Sequence, residues 1–297
     1  MTGPKRRQCF TLIAGPTASG KSALAAAQAR ARGGIVVNAD SMQVYRELAI
    51  LTARPTPAEE ADLPHRLYGY RPAAEPYSVA AWLDDIAPLI DAGRQGGPPL
   101  IIVGGTGLYF KALLEGLSPV PEIPDDIRAH WRAEVAANGS STLHAILRKR
   151  DPAMAARLPA SDAQRIVRAL EVLDATQISL LDWQSVAGRP LMRVEEAERL
   201  YLSPPRELLY ARCDARLNRM IEMGGLEEAR WLAALQLDAA LPIMRAVGVR
   251  SLLGFLAGLL DWEAALAAAK TETRRYAKRQ LTWARRNMIS WKWLFSE

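Results

Sequence analysis

GPTASGKS, residues 15–22, is the stretch whose reading decides how this chain folds. It fits G-x-x-x-x-G-K-[ST] at every fixed position. Before it stands the apolar, β-branched run CFTLIAG (9–15), which reads as a buried strand. After it comes KSALAAAQARARGG (21–34), an alanine-rich helix stopped by Gly33 and Gly34. Strand, glycine loop and helix in that order form the setting in which this motif cradles phosphate. Gly15 and Gly20 allow close backbone approach, so, past Pro16, which has no N–H, the amides from Thr17, Ala18 and Ser19 onward and the helix N-terminus can face an anion. Lys21 adds a full charge, and Ser22 offers a hydroxyl to Mg²⁺.

Working outward, IVVNAD (35–40) and PPLIIVGGTG (98–107) read as two more buried strands. Strands alternating with helices predict an α/β fold, a P-loop NTPase-like parallel sheet flanked by helices. The rhythm changes at SPVPEIPDD (118–126), with three prolines and three acids in nine residues. From there to about 200 only helical patterns occur, and one further strand is expected at Arg199–Leu202. The expected organisation is a core over 1–118 and 199–297, interrupted by an all-helical insertion domain at 119–198.

Composition narrows the functional classes. The 297 residues are 49% hydrophobic and carry a net charge of +6. No apolar run approaches the ~18–20 residues of a membrane span. MTGPKRRQCF is positively charged but leads straight into a strand and glycine loop, so it does not read as a signal peptide. Cys9 and Cys213 cannot make a disulfide framework, and His65, His130 and His144 have no zinc-ligand spacing. A cytoplasmic protein is expected, and a monomer.

The motif specifies phosphate but not a nucleoside triphosphate. A P-loop NTPase holds Mg²⁺ with a second carboxylate at a strand end. Here LIIVGGTG ends in glycines and a threonine, and Asp40 is the only acid at a strand terminus. Ligands of open α/β sheets gather at such ends. Asp40 therefore reads either as a turn cap or as a metal ligand or general base. Thr106 reads either as a cap or as a free hydroxyl at the same edge.

Three segments together, GPTASGKSALA, NADSMQVY and IIVGGTGLYFKALLEGL, resemble the bacterial tRNA dimethylallyltransferases in order and separation. The resemblance continues in RLPASDAQRIVRALEV (157–172), RELLYARCDARL (206–217), IMRAVGVRSL (243–252) and AKRQLTWARR (277–286). It implies transfer of a dimethylallyl group from dimethylallyl diphosphate, with Mg²⁺, to N6 of the adenosine on the 3′ side of the tRNA anticodon. The phosphates would then be a leaving group, which accounts for the missing second carboxylate. Carried residue by residue, Gly15 to Ser22 would bind the diphosphate, Asp40 would be the general base, Thr106 would lie at the reacting centre, and Arg216 would stabilise the departing diphosphate. Contacts to the anticodon stem-loop would come from Asp40, Ser41, Met42, Gln43 and Thr106, and from Arg128, Gln164, Arg165, Ile166, Val167 and Arg168. Further contacts would come from Arg245, Gly248 and Arg250, and from Lys278, Arg279, Gln280, Trp283 and Arg285. Two positions depart from the family pattern: Leu51 stands for a glycine, and Val249 stands for a tyrosine.

Independently of the family, the last long helix puts Lys270, Arg274, Lys278 and Arg285 within a sector of about 80°, with Arg275, Arg279 and Arg286 beside it. That face reads as either an RNA surface or a solvated basic face. Tyr276 and Trp283 read equally well as core. In the insertion, Arg168 could pair with Glu171, and the spacing of Ile166, Val167, Leu170 and Leu173 is that of core residues. A P-loop small-molecule kinase, a prenyltransferase acting on free AMP, and a non-catalytic RNA-binding protein are the competing functions.

Overall fold

The computed structural model describes residues 10–295, so Cys9 and the basic N-terminal residues before it lie outside the described residues. Six strands form one sheet: β1 Phe10–Ala14, β2 Ile35–Asn38, β3 His65–Arg66, β4 Leu100–Gly104, β5 Ala197–Leu202 and β6 Lys292–Leu294. Their order is β3-β2-β4-β1-β5-β6, and every neighbouring pair is parallel. Twelve α-helices are described. They are α1 Lys21–Arg32, α2 Pro57–Asp62, α3 Val79–Arg94, α4 Gly107–Glu115, α5 Asp125–Arg150, α6 Pro152–Ala155, α7 Ala163–Thr176, α8 Leu180–Ser185, α9 Arg206–Glu222, α10 Gly225–Ala234, α11 Val249–Leu256 and α12 Trp262–Asn287.

Both faces of the sheet are covered, which is why β1, β2 and β4 are apolar throughout. On one face Phe10, Leu12, Val37 and Ile102 pack against Trp82, Ile86 and Ile90 of α3 and Phe110 and Leu113 of α4. On the other, Ile13, Val36, Ile101 and Val103 pack with Ala25 and Ala29 of α1. The strand expected at Arg199–Leu202 begins two residues earlier, at Ala197, because Phe10 pairs with it in register. The two edge strands β3 and β6 are too short to leave a pattern in the sequence.

The chain divides into two compact units, one of residues 1–114 and 191–297, the other of Glu115–Pro190. The second unit contains helices only among its described residues and has its own core of Trp131, Leu143, Leu147, Ile166 and Leu170. Its bounds differ from the expected 119–198, because Leu191 and Met192 donate their backbone N–H groups to the Leu113 carbonyl and so belong with the sheet. Helix α5 is broken at Gly139, whose φ of 73° is not helical.

Two long-range contacts shape the carboxyl edge of the sheet. The first is the approach of β4 to the residue after β2: a Cβ on Gly104 would lie 2.0 Å from the Ala39 carbonyl oxygen. The second fixes the loop after β2. The Glu228 carboxylate of α10 accepts hydrogen bonds from the N–H groups of Ala49, Ile50 and Leu51 at 2.6, 2.9 and 2.7 Å. Leu51 is buried beside Val44, Tyr45 and Leu48, so its departure from the family pattern fills core space. Val249 is likewise fully buried in that cluster.

Gly104→Ala should lower stability by about 3 kcal/mol, since backbone must move to admit the methyl group. Urea unfolding followed by circular dichroism measures the change.

Candidate functional site

The carboxyl ends of β1, β2 and β4 place three loops together. The first is the loop at 15–20. Gly20 caps α1 with φ 91°, a left-handed conformation that glycine adopts without strain. Ala18 is also left-handed, at φ 62°. Such a turn aims successive amides to one side and makes an anion-binding concavity. Gly15, Pro16 and Ser19 are buried, Thr17 and Ala18 half-buried, and Ser22 is exposed in the first turn of α1.

The second loop follows β2. Asn38 is fully buried and brackets the next peptide: its Oδ1 accepts from the Asp40 N–H (2.8 Å), and its Nδ2 donates to the Asp40 carbonyl (2.9 Å) and the Leu67 carbonyl (3.0 Å). Asp40 then uses Oδ1 to accept from the Met42 N–H at 3.0 Å. Its Oδ2 faces the third loop, 3.3 Å from where a Cβ on Gly105 would lie. The turn-cap reading is met by Oδ1, and Oδ2 is left facing the third loop. Gln43 donates to the Thr52 and Ala53 carbonyls, so its amide group holds the loop that Glu228 anchors.

The third loop follows β4. Thr106 accepts from the Ser41 N–H (3.0 Å) and donates to the Ser41 hydroxyl (3.3 Å). The hydroxyl expected to be free is therefore occupied in tying two loops together. Helix α12 lies over this loop. Gln280 accepts from the Thr17 N–H and donates to the Gly105 carbonyl, both at 2.9 Å. The Trp283 ring occupies the space above Gly107, 2.2 Å from where a Cβ would be.

Charge sets the site's character. Lys21 donates to the Pro16 carbonyl at 3.3 Å, and Arg216 of α9 makes no hydrogen bond or ion pair among the described residues. Burial lowers the pKa of Lys21 to about 8; the nearby Arg216 lowers it further, and Asp40 opposes both. Burial also lowers Arg216, again opposed by Asp40. Burial raises the phenols of Tyr109 and Tyr276, and the Asp40 charge adds to both. Two desolvated cations share a single carboxylate, an arrangement that favours arrival of an anion. Cys213 lies under the loop with its sulfur 4.0 Å from the Thr17 carbonyl, and burial raises its thiol to about 11. Among the described residues no group of three or more His, Cys, Asp or Glu side chains could hold a metal.

Helix α12 carries a basic strip. Arg275, Lys278, Arg279, Thr282, Trp283, Arg286 and Asn287 line a shallow groove of about 520 Å³. Arg279 also lies over the Tyr276 ring at 5.6 Å. The strip is rotated from the sector predicted on helical angles. Arg274 is not on it: its guanidinium donates twice to Asp214 of α9, at 2.7 Å each, because Leu209 and Cys213 pack α9 against Ala277. Glu272, the sole acid in that stretch, accepts from the Gly248 N–H and the Ser251 hydroxyl and so caps α11. Gly248 is buried at that cap, while Arg245, Arg250 and Arg285 are exposed.

In the helical unit Arg128 pairs with Asp125, Arg165 with Asp162, and Arg168 with Glu171. Gln164 is exposed and Val167 half-buried. Ile166 is completely buried, which corrects its assignment as a contact residue: the helix needs it for the core of that unit. Asn38, Glu228 and the clamping role of Gln280 are absent from the sequence reading. Each acts through hydrogen bonds to backbone, and those of Glu228 and Gln280 reach far along the chain. Only the Asn at the head of Asn-Ala-Asp-Ser hinted at such a part.

A parallel sheet that gathers a glycine loop, the Asp40 carboxylate and two desolvated cations at its carboxyl edge defines a P-loop-like α/β protein. A family model described as IPP transferase matches residues 43–287, and one described as Isopentenyl transferase matches 9–70. The chain belongs to the IPP transferase family. It is 49% identical over 278 residues to a tRNA dimethylallyltransferase of Chelativorans sp. (strain BNC1), covering 94% of this chain and 95% of the relative. It is 52% identical over 294 residues to one of Methylobacterium sp. (strain 4-46), covering 96% and 94%. The solved tRNA isopentenylpyrophosphate transferase of Bacillus halodurans superposes with a TM-score of 0.68 at 32% identity, over 97% of this chain and 90% of that one. A eukaryotic dimethylallyltransferase acting on tRNA shares the fold, with a TM-score of 0.76 at 24% identity over 96% and 73%.

Lys21 should bind a diphosphate best when protonated, so affinity is full below pH 8 and falls as pH rises through it. Binding raises the lysine's pKa, so near pH 8 Lys21 should take up part of a proton beyond whatever the diphosphate itself exchanges. Calorimetric titration with inorganic diphosphate in buffers of different ionisation heat measures this uptake, and Lys21→Met should abolish it.

Proposed function

We propose that this chain transfers the dimethylallyl group of dimethylallyl diphosphate to N6 of the adenosine 3′-adjacent to the anticodon in tRNA, releasing diphosphate. The observation that carries this reading is the juxtaposition of Lys21 and Arg216, both desolvated and neither ion-paired among the described residues, with the Asp40 carboxylate whose Oδ2 faces the loop at Gly105. The exocyclic amine is a weak nucleophile because its lone pair is delocalised into the ring. An allylic diphosphate compensates, since its C–O bond breaks readily once charge on the leaving oxygens is stabilised. Lys21, Arg216 and the loop amides not already bonded among the described residues, those of Ala18 and Gly20, meet that charge in a partly dehydrated setting. N6 bonds to the allylic carbon, the C–O bond breaks, the electron pair leaves with the diphosphate, and the amine proton passes to Asp40. Water must be kept out, or the allyl group is hydrolysed. Helix α12, with Gln280 and Trp283 laid over the third loop, supports that exclusion. The adenine must leave its stack to reach the donor.

The donor set suits Mg²⁺, which keeps few protein ligands and takes most of its oxygens from phosphate and water. Ser22 is the exposed hydroxyl at the first turn of α1, and it would hold the ion with diphosphate oxygens. When bound, Mg²⁺ adds positive charge to the leaving group. The RNA-facing surface we assign to the α12 strip, in particular Lys278 and Arg279. Among the described residues no helix is long and apolar enough to cross a membrane. We place the reaction in the cytoplasm, carried out by a monomer.

Incubation with unmodified tRNA, labelled donor and Mg²⁺, followed by nucleoside analysis, should put the label on that adenosine, and excess AMP should not compete. Label appearing on AMP instead would move the substrate to the free nucleotide. Asp40→Ala should lower turnover by about 10²–10⁴-fold while RNA affinity stays within a few-fold. A collapse of RNA binding would make Asp40 only a turn cap. Lys278→Gln with Arg279→Gln should reduce the slope of log K against log salt by about 0.7–0.9 for each lost phosphate contact. An unchanged slope would leave that strip merely solvated.

A further inference from the structure

We infer that Gln280 is a positioning residue for the diphosphate loop, acting through the Thr17 amide and the Gly105 carbonyl, and not a contact to RNA. This inference rests on the transfer reaction proposed above. The side chain comes from α12, 263 residues along the chain from Thr17 and 175 from Gly105. Its Oε1 accepts from the Thr17 N–H and its Nε2 donates to the Gly105 carbonyl, so the same planar amide spans the loop after β1 and the loop after β4. Only a carboxamide of this length can do both. A carboxylate lacks the donor, and a lysine lacks the acceptor.

The surroundings fit the clamp. Gly105 has no side chain where Gln280 Nε2 lies, for a Cβ there would be 2.3 Å from that nitrogen. Tyr276 and Trp283 are one turn away on either side, and Trp283 fills the space over Gly107. The three side chains therefore form one face of α12, and Ala277 and Ala284 bury the neighbouring face. The basic residues Arg275, Lys278 and Arg286 belong to the strip on the outside. Gln280 is half-buried, and its acceptor and one of its N–H groups are already in use within the protein.

The geometry determines what the clamp does. It fixes Thr17, whose own N–H is committed to Gln280, at the head of the phosphate-type loop, and holds Gly105 beside Asp40 Oδ2. Base and leaving-group cradle are thereby kept at a set separation, on which an in-line displacement at carbon depends steeply. Loosening it should harm the chemical step and diphosphate binding more than RNA docking.

The test uses the full chain with Gln280→Leu and Gln280→Glu. With inorganic diphosphate, Gln280→Leu should bind about tenfold more weakly and exchange the Thr17 amide hydrogen at least tenfold faster. Its turnover of labelled donor should fall at least tenfold, while affinity for an anticodon stem-loop RNA stays within twofold. Wild-type exchange and turnover in the variant, or a loss of RNA affinity with diphosphate binding intact, overturns the inference. If Gln280→Leu does not fold, Gln280→Glu decides: it retains the Thr17 acceptor and loses the Gly105 donor, so Thr17 exchange should stay slow while turnover falls. Full turnover in that variant overturns the inference. Failure of the underlying reading shows separately, as absence of label transfer by the wild-type chain.

Discussion

The close approach of Gly104 to the Ala39 carbonyl is the constraint on which the rest of the site depends. Here the absence of one Cβ lets β4 end flush against the residue after β2, and the Thr106 N–H reaches the same carbonyl at 3.3 Å. The turn at Asp40 and the loop at Gly105 are consequently joined side by side, with Ser41 and Thr106 as the fastening. A larger gap would leave Asp40 without an opposing wall, and α12 would have nothing to clamp.

Electrostatics supplies the second half of the design. Lys21 and Arg216 repel each other, and burial penalises both. Asp40 offsets part of that cost, and an anion bound beside the two cations would offset more. The aromatic residues near Asp40 belong to the same economy of water: Tyr109 stacks on Trp82, whose indole N–H donates to the Asn38 carbonyl. The residue that holds Asp40 is thus itself held from the hydrophobic side.

Much of this was legible in the sequence, and the reason is locality. The glycine loop, β1, β2, β4 and the helical character of 119–198 each announce themselves within a short window. Asp40 and Thr106 could be placed at one edge because strand ends in such sheets share an edge. The edge strands β3 and β6, two and three residues long, left no periodic trace. The clamp of Gln280 and the anchor of Glu228 were hidden for another reason: each is a polar side chain bonded to distant backbone, and backbone carries no signature in residue type. The basic face of α12 was found but misoriented, since helical angles give the relative placement of residues and not which side a neighbour covers. The pairing of Arg274 with Asp214 settles that side. Ile166 shows the opposite case, where periodicity was a better guide than alignment to a family segment.

The three amides at Ala49–Leu51 wait for the carboxylate of Glu228, and β1 waits for β5. On the ribosome, then, the first hundred residues cannot complete their sheet when they emerge. The segment at Glu115–Pro190 can, because every partner in its core lies within it. The interrupting unit therefore holds all its core partners before β5 and β6, which finish the sheet, have been made, while β1 to β4 can already pair among themselves.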